Sequence, residues 1–385
     1  MKMLFNEGKN KMLGKKNIKK KIGILTGGGD CPGLNMAIKT VAQYAMNKYG
    51  WEVVGVKNAI NGIVSDVKLS GEDSDIIEFS PSFSFSEYVR QGGTFLGSFK
   101  KIKTKRYRNV QNDEDLVSVM LPTFKKNIKE FNIDGLIATG GDGTMFMLNY
   151  LCEKSKIPFV GIPKTIDNDT PGTEISIGFS SAVDAIVNAM DSIFWTAKGH
   201  RRAIVTQVMG RDTGHLAMHS GVASCADIIL VPEIPYTLSG IIKKIKDIKA
   251  KEKRDYFVIV VAEGAGLEKG KPLPKSADYT VAEYIAKALD KAGIEARADN
   301  LGYIQRGGLP NGYDRMLAAE LAVLAVDLMA DGQSAVMAGM KDGKPTKVPL
   351  KNVCKKETRG LNLSSPIVKT AIKSGIYIGD VKKVK

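Results

Sequence analysis

Cysteine is scarce in this chain of 385 residues and never paired: Cys31, Cys152, Cys225 and Cys354 stand far apart, without a CxxC spacing. Four scattered thiols argue against a disulfide framework and for free cysteines in a reducing compartment, most simply as small packed residues. Long apolar runs are missing too. The longest, Tyr256 to Ala262, is far too short to span a bilayer. Residues 1–21 contain no apolar block of secretory-signal length, so a cytoplasmic protein without membrane contact is expected. Neither a short-period repeat nor a low-complexity linker interrupts the chain. The two domains that its length suggests are therefore expected to pack closely.

Positive charge is in excess, at +15 net. Residues 1–21 hold eight lysines against one glutamate, or +7, which leaves +8 for the other 364 residues. Such a start reads as a solvated, flexible basic arm, residues 1–20. With Phe5 as its lone aromatic, the arm lacks the aromatic interleaving of a nucleic-acid binder, and nucleic acid is not an expected partner. The surplus on the body suits anionic small molecules.

Short apolar runs alternate with helical patterns, which predicts parallel sheets covered on both faces. Ile22 to Thr26 reads as a strand, followed by a glycine turn and a helix with Leu34, Ala37, Ile38 and Val41 on one face. Further strands are predicted at Val53 to Val56, Leu136 to Ala138 and Phe159 to Ile162. A helix over 181–195 aligns Val183, Ile186, Val187, Met190, Ile193 and Phe194. Strands at Ala203 to Val208, Ile228 to Val231 and Phe257 to Val261 make the second half another βα unit. The fold class is α/β: two Rossmann-like three-layer α/β/α lobes, with the site in the cleft between them.

Three polar turns follow predicted strands, where open α/β sheets bind ligands. Thr26-Gly27-Gly28-Gly29-Asp30-Cys31-Pro32-Gly33 can bring backbone N–H groups against a phosphate at a helix N-terminus. It is neither a Walker A motif nor a GxGxxG fingerprint. By itself it is equally well a tight strand-to-helix connection. Gly140-Gly141-Asp142-Gly143-Thr144 offers a carboxylate suited to Mg²⁺ or to capping the next helix, which carries Met145, Leu148 and Leu151. Pro163-Lys164-Thr165-Ile166-Asp167-Asn168-Asp169 sets two carboxylates two residues apart. One of them can take a hydroxyl proton, or the segment can be an Asx-turn.

TGGGDCPGLN at 26–35, GGTFLGS at 92–98, GGDGT, PKTIDND, MGRDTGH at 209–215, VAEGA and LGYIQRGGLP occur in the order found in 6-phosphofructokinases. Over roughly residues 21–320 the chain resembles the bacterial ATP-type members of that family. The resemblance implies transfer of the ATP γ-phosphoryl group to the C1 hydroxyl of fructose 6-phosphate, with Mg²⁺. Asp167 matches the general base, and Thr165 and Asp169 its partners around the transferred group. Asp142 matches the magnesium ligand. Gly29 and Gly143 match backbone contacts to the donor phosphates, beside Thr144, Lys164 and Lys100. Arg211, with Met209 and Gly210, matches a group that binds substrate and stabilises transferred charge, and Glu263 matches a sugar-hydroxyl contact. Arg202, Arg297 and Arg306 suit the sugar's 6-phosphate, since a guanidinium pairs with phosphate oxygens. Family positions for Arg202 and Arg297 reach a neighbouring subunit's site, which implies self-association, usually a homotetramer.

Departures from the family pattern bear on donor and control. Lys100 replaces an arginine near the donor phosphates, and Tyr303 a histidine at the 6-phosphate site. Pyrophosphate-dependent members typically carry aspartate where this chain has Gly143, which favours ATP. Lys164 points toward pyrophosphate, the alternative donor, and Met147 is bulky for an adenosine pocket. Lys39, Gln43 and Phe194 stand where an arginine-rich effector site would be, which implies weak or altered control. The resemblance also suggests a division into a donor lobe (21–178 plus about 304–355) and a sugar-phosphate lobe (179–303 plus about 356–385). NAD kinases and lipid kinases share a GGDG turn, so another acceptor is one alternative. A binding module using the basic arm is the other.

Overall fold

The computed structural model describes residues 19–65, 75–98, 113–354 and 357–381. Most of the basic arm therefore lies outside the described residues, as does Lys100. The described strands are β1 (Lys21–Thr26), β2 (Glu52–Val56), β3 (Ile76–Phe79), β4 (Gly135–Gly140), β5 (Phe159–Pro163), β6 (Ala203–Val208), β7 (Ile228–Leu230), β8 (Phe257–Ala262), β9 (Ala296–Asn300), β10 (Val336–Lys341) and β11 (Lys344–Pro349). They form a seven-stranded sheet in the order β11-β10-β5-β4-β1-β2-β3 and a four-stranded sheet in the order β7-β8-β6-β9. Every neighbouring pair is parallel except β2 with β3 and β10 with β11.

Strand periodicity explains the layers. In β1, Ile22 and Ile24 enter one core while Leu25 enters the other; β4 likewise separates Ile137 from Leu136 and Ala138. Both faces are covered, so β4, β6 and β8 are buried along their whole lengths, as parallel strands require. Helices Leu34–Tyr49 and Gly312–Ala330 supply apolar residues to the first face, and Asp113–Glu130 and Asp142–Ser155 to the second. The smaller sheet shares one core with Phe179–His200, Leu238–Glu252, Val281–Lys291 and Pro366–Lys373.

The chain passes between the sheets more than once. After β9 it returns to the larger sheet, where Val336 of β10 pairs with Val160 of β5. Its last segment goes back, and Ile229 donates to the carbonyl of Tyr377 at 2.9 Å. The two-lobe α/β architecture expected from the sequence is the one observed, with boundaries a few residues wider: the helix predicted over 181–195 runs from Phe179 to His200. Four strands escape the sequence reading. β9 (ARADN) is a polar sheet edge without an apolar run, and β3 is a four-residue edge. β10 and β11 did carry a signal, since Asp342 and Gly343 both have positive φ (51° and 69°) in a tight Asp-Gly hairpin.

Candidate active site

The turns after β1, β4 and β5 lie side by side because those strands are neighbours in the sheet. They line a cavity of about 430 Å³, faced by Arg211 from the loop after β6 and Arg306 from the turn Ile304–Gly307. Its glycines have two different physical reasons. A Cβ on Gly27 or Gly140 would stand 2.3 or 2.5 Å from the Thr144 side chain, so only glycine fits. Beside Gly143 a Cβ would meet nothing within 4 Å, which leaves open space at the mouth of the helix Asp142–Ser155. Asp142 is the first residue of that helix and not its cap, a position held by Gly141. The helix N-terminus favours an anion at this point.

Asp167 is the most unusual carboxylate of the cavity. It is 4% exposed, and its Oδ1 is buried without a hydrogen-bond partner. The Thr165 hydroxyl donates to its Oδ2 at 3.3 Å and accepts from its backbone N–H at 3.1 Å, so an Asx-like turn and a reactive carboxylate coexist. Burial, reinforced by the charge of Asp169, pushes the Asp167 pKa up to about 6. Asp169 is raised by burial and then by Asp142, which brings three carboxylates into electrostatic reach. Lys164 is 3% exposed, and its ammonium donates to the Gly29 carbonyl at 2.5 Å while burial lowers its pKa. It thereby ties the third turn to the first.

On the opposite wall, Arg211 adopts a left-handed conformation (φ 51°), and its N–H donates to Glu263 at 2.8 Å. The Met209 N–H donates to the fully buried Gln305 at 3.0 Å. Arg306 lies over the first turn, its Nη1 3.1 Å from where a Gly29 Cβ would stand.

Of the residues singled out from the sequence, Gly29, Asp142, Gly143, Thr144, Lys164, Thr165, Asp167, Asp169, Arg211 and Arg306 line the cavity, as does Met147. Met209, Gly210 and Glu263 adjoin it through the Arg211 loop. Arg202, Arg297 and Tyr303 are not among its lining residues. Both arginines pair with Glu295, at 3.1 and 3.4 Å, and Tyr303 is 75% exposed. The sequence reading missed Gln305 and Arg359. Arg359 donates from its side chain to Asn168 O at 2.6 Å and from its backbone to Asp169 O at 2.8 Å. A lone arginine in an unpatterned segment carries no local signal for such a role.

The donor set fits magnesium. No group of three or more His, Cys, Asp or Glu among the described residues is placed to hold a metal. Mg²⁺ needs only one or two carboxylates with phosphate and water, and Asp142 with Asp169 nearby meets that need. The cysteines stay unpaired, but only Cys31 and Cys152 are buried; Cys225 is exposed at a positive-φ turn, against the expectation that all four are packed. Among the described residues no helix is long and apolar enough to cross a membrane.

Fold and cavity together define an α/β protein in which three polar turns converge at the carboxyl ends of neighbouring strands, where open sheets bind ligands. The sequence profile of the Phosphofructokinase family matches residues 21–329. The chain is 38% identical over 371 residues to the ATP-dependent 6-phosphofructokinase of Thermosynechococcus vestitus, with 94% of each chain covered. It is 39% identical over 337 residues to ATP-dependent 6-phosphofructokinase 3 of Bacteroides thetaiotaomicron, covering 87% of this chain and 93% of that one. Among solved structures, phosphofructokinase from Saccharomyces cerevisiae aligns with a TM-score of 0.75 at 27% identity, over 95% of this chain and 48% of that longer one. A pyrophosphate-dependent phosphofructokinase from Marinobacter aquaeolei shares the fold, with a TM-score of 0.73 at 19% identity over 95% of this chain and 90% of that one. The chain belongs to the phosphofructokinase family.

Proposed function

We propose that this chain transfers the γ-phosphoryl group of ATP to the C1 hydroxyl of fructose 6-phosphate, giving fructose 1,6-bisphosphate and ADP, the committing step of glycolysis. One observation carries the chemistry: Asp167 presents a buried, unpartnered carboxylate oxygen, with its pKa raised to about 6, in the cavity that holds the glycine turns. A carboxylate so tuned is still ionised near neutral pH, yet is a stronger base than a solvated one. Asp167 accepts the C1 hydroxyl proton, and the Thr165 hydroxyl holds its other oxygen in place. Arg211 stabilises the charge that develops on the transferred group, and Arg306 holds the sugar phosphate by paired hydrogen bonds. The backbone of Gly29 and Gly143, with Thr144 and Lys164, receives the donor phosphates, and Glu263 a sugar hydroxyl. Asp142 would hold Mg²⁺, which neutralises phosphate charge when bound.

ATP is favoured as donor by the open space at Gly143, where a side chain would obstruct a nucleotide's α-phosphate. The relatives named above at 38% and 39% identity are ATP-dependent, whereas the pyrophosphate-dependent neighbour is 19% identical. The deciding experiment measures fructose 1,6-bisphosphate from fructose 6-phosphate and Mg²⁺, with ATP and pyrophosphate in parallel. Product with ATP alone supports this reading, product mainly with pyrophosphate replaces the donor, and no product with either removes the acceptor.

A cytoplasmic homo-oligomer with shared sites, a tetramer by family habit, completes the proposal. It is supported by Arg202 and Arg297, which are absent from the lining of their own chain's cavity, and by exposed Tyr303, Leu309 and Met316 nearby in sequence. The proposed division into a donor lobe (21–178 plus about 304–355) and a sugar-phosphate lobe (179–303 plus about 356–385) is supported by residues 336–349, which join the larger sheet, and by residues from Leu361 onward, which join the smaller sheet's core.

A further inference from the structure

We propose that Arg359 is a positioning residue that fixes the Asp167–Asp169 turn relative to Arg211 across the cleft. The inference rests on the phosphoryl-transfer reading above and adds a group outside every motif that led to it. One guanidinium nitrogen, Nη2, donates to the carbonyls of Asn168 at 2.6 Å and Glu174 at 2.9 Å, closing the two ends of the turn. The backbone N–H of Arg359 donates to Asp169 O at 2.8 Å, and its own carbonyl lies 3.0 Å from His215 Nε2. Burial lowers the His215 pKa to about 4, so at neutral pH the ring is uncharged and can donate from Nε2. His215 opens the helix that follows the Arg211 loop. Arg359 therefore spans from the base's turn on the larger sheet, through its backbone carbonyl, to the helix that follows the arginine's loop.

The turn is braced from several sides. Asn168 sits at φ 55°, a left-handed conformation that asparagine tolerates better than most residues. Its side chain braces the inside of the turn, accepting from Ser176 N at 3.0 Å and donating to Glu174 O at 3.3 Å. Another bond between the walls, from Thr213 Oγ1 to Asp167 O, is 3.4 Å long and correspondingly weak. Removing the guanidinium would strip Asn168 O of its short partner and Glu174 O of one of its two donors, leaving the turn tied across the cleft by the backbone N–H of residue 359 and the long Thr213 bond. Burial lowers the pKa of the half-buried Arg359, and the carboxylates of Asp169 and Glu174 offset part of that effect.

The test compares Arg359→Ala and Arg359→Lys with wild type and with Asp167→Ser. A displacement of about 1 Å at a reacting group can cost about 100-fold in rate. Arg359→Ala is expected to lower kcat by about 30- to 100-fold, with KM for both substrates within about threefold. Added guanidinium ion should restore part of that loss in Arg359→Ala and none in Asp167→Ser, and Arg359→Lys should fall between. On the free enzyme, amide exchange across residues 165–176 should quicken in Arg359→Ala while the rest of the chain is unchanged. A kcat within twofold of wild type, a loss that merely tracks the folded fraction without guanidinium recovery, or unchanged exchange at 165–176 overturns the proposal. If wild type makes no product with either donor, the functional reading fails on its own, while the exchange measurement still decides the role of Arg359.

Discussion

The carboxylate of Asp314 takes both the N–H and the hydroxyl of Ser181, at 2.7 and 2.6 Å, and a third bond from Gly178 N at 3.0 Å. Asp314 stands in the first turn of Gly312–Ala330, which packs on the larger sheet. Ser181 stands in the first turn of Phe179–His200, whose apolar side joins the smaller sheet's core. One buried side chain thus caps a helix of the opposite lobe and joins the two cores. Asp314→Ala loses the cap and leaves buried donors unpaired, at an expected cost of about 2–4 kcal/mol. Thermal unfolding checks it; an unchanged midpoint would show that the contact does not hold the lobes together.

Asp167→Ser should lower kcat by about 100-fold or more while fructose 6-phosphate affinity changes little. Its effect on stability has the opposite sign. The folded pKa of about 6 lies above the ordinary carboxylate value, so the fold binds the proton more tightly than the unfolded chain does. Between those values stability falls as pH rises, and above pH 6 ionisation costs on the order of 1–3 kcal/mol. The serine variant should therefore unfold no earlier than wild type at pH 7.5. Near-normal turnover would remove Asp167 from the role of base.

The rate itself should fall with acid. Because the base must be ionised, activity is expected to decline as pH drops through about 6, as a property of the coupled Asp167–Asp169 pair. Asp169→Asn removes the neighbouring charge and should shift this limb to lower pH, provided turnover remains measurable. A limb near pH 4 in wild type would mean that burial does not tune this carboxylate.

Gly143→Asp places a charged side chain into open space, so the fold should be untouched. Use of ATP, read as kcat/KM, should fall by about 100-fold or more, since like charge and bulk then meet the nucleotide phosphates. Use of pyrophosphate should persist or appear. Equal losses with both donors would show that Gly143 serves the turn's geometry and not donor choice.

The glycine turns and carboxylates were legible because each depends on a few consecutive residues. Pro163 to Asp169 and Gly140 to Thr144 are short runs of turn-forming and carboxylate residues behind apolar runs that read as buried strands, so they can be recognised without the distant partners that hold them in place. Edge strands were illegible for the complementary reason: β9 exposes most of its side chains, so no apolar pattern marks it. Gln305 and Arg359 were illegible as site residues because their partners lie far along the chain, at Met209 and Asn168.

From the sequence alone came the α/β class, the order of the turns and the residue types able to hold phosphate and accept a proton. These follow from short-range rules of strand periodicity, glycine conformations and carboxylate chemistry. Tertiary structure alone decided which turns became neighbours, through the order β5-β4-β1, and which wall they face, through the chain's returns between the sheets. It also set the proton affinity of Asp167: both carboxylates of its turn have the same intrinsic chemistry, and burial beside Asp169 raises the pKa of Asp167 to about 6, as the proposed role of base requires.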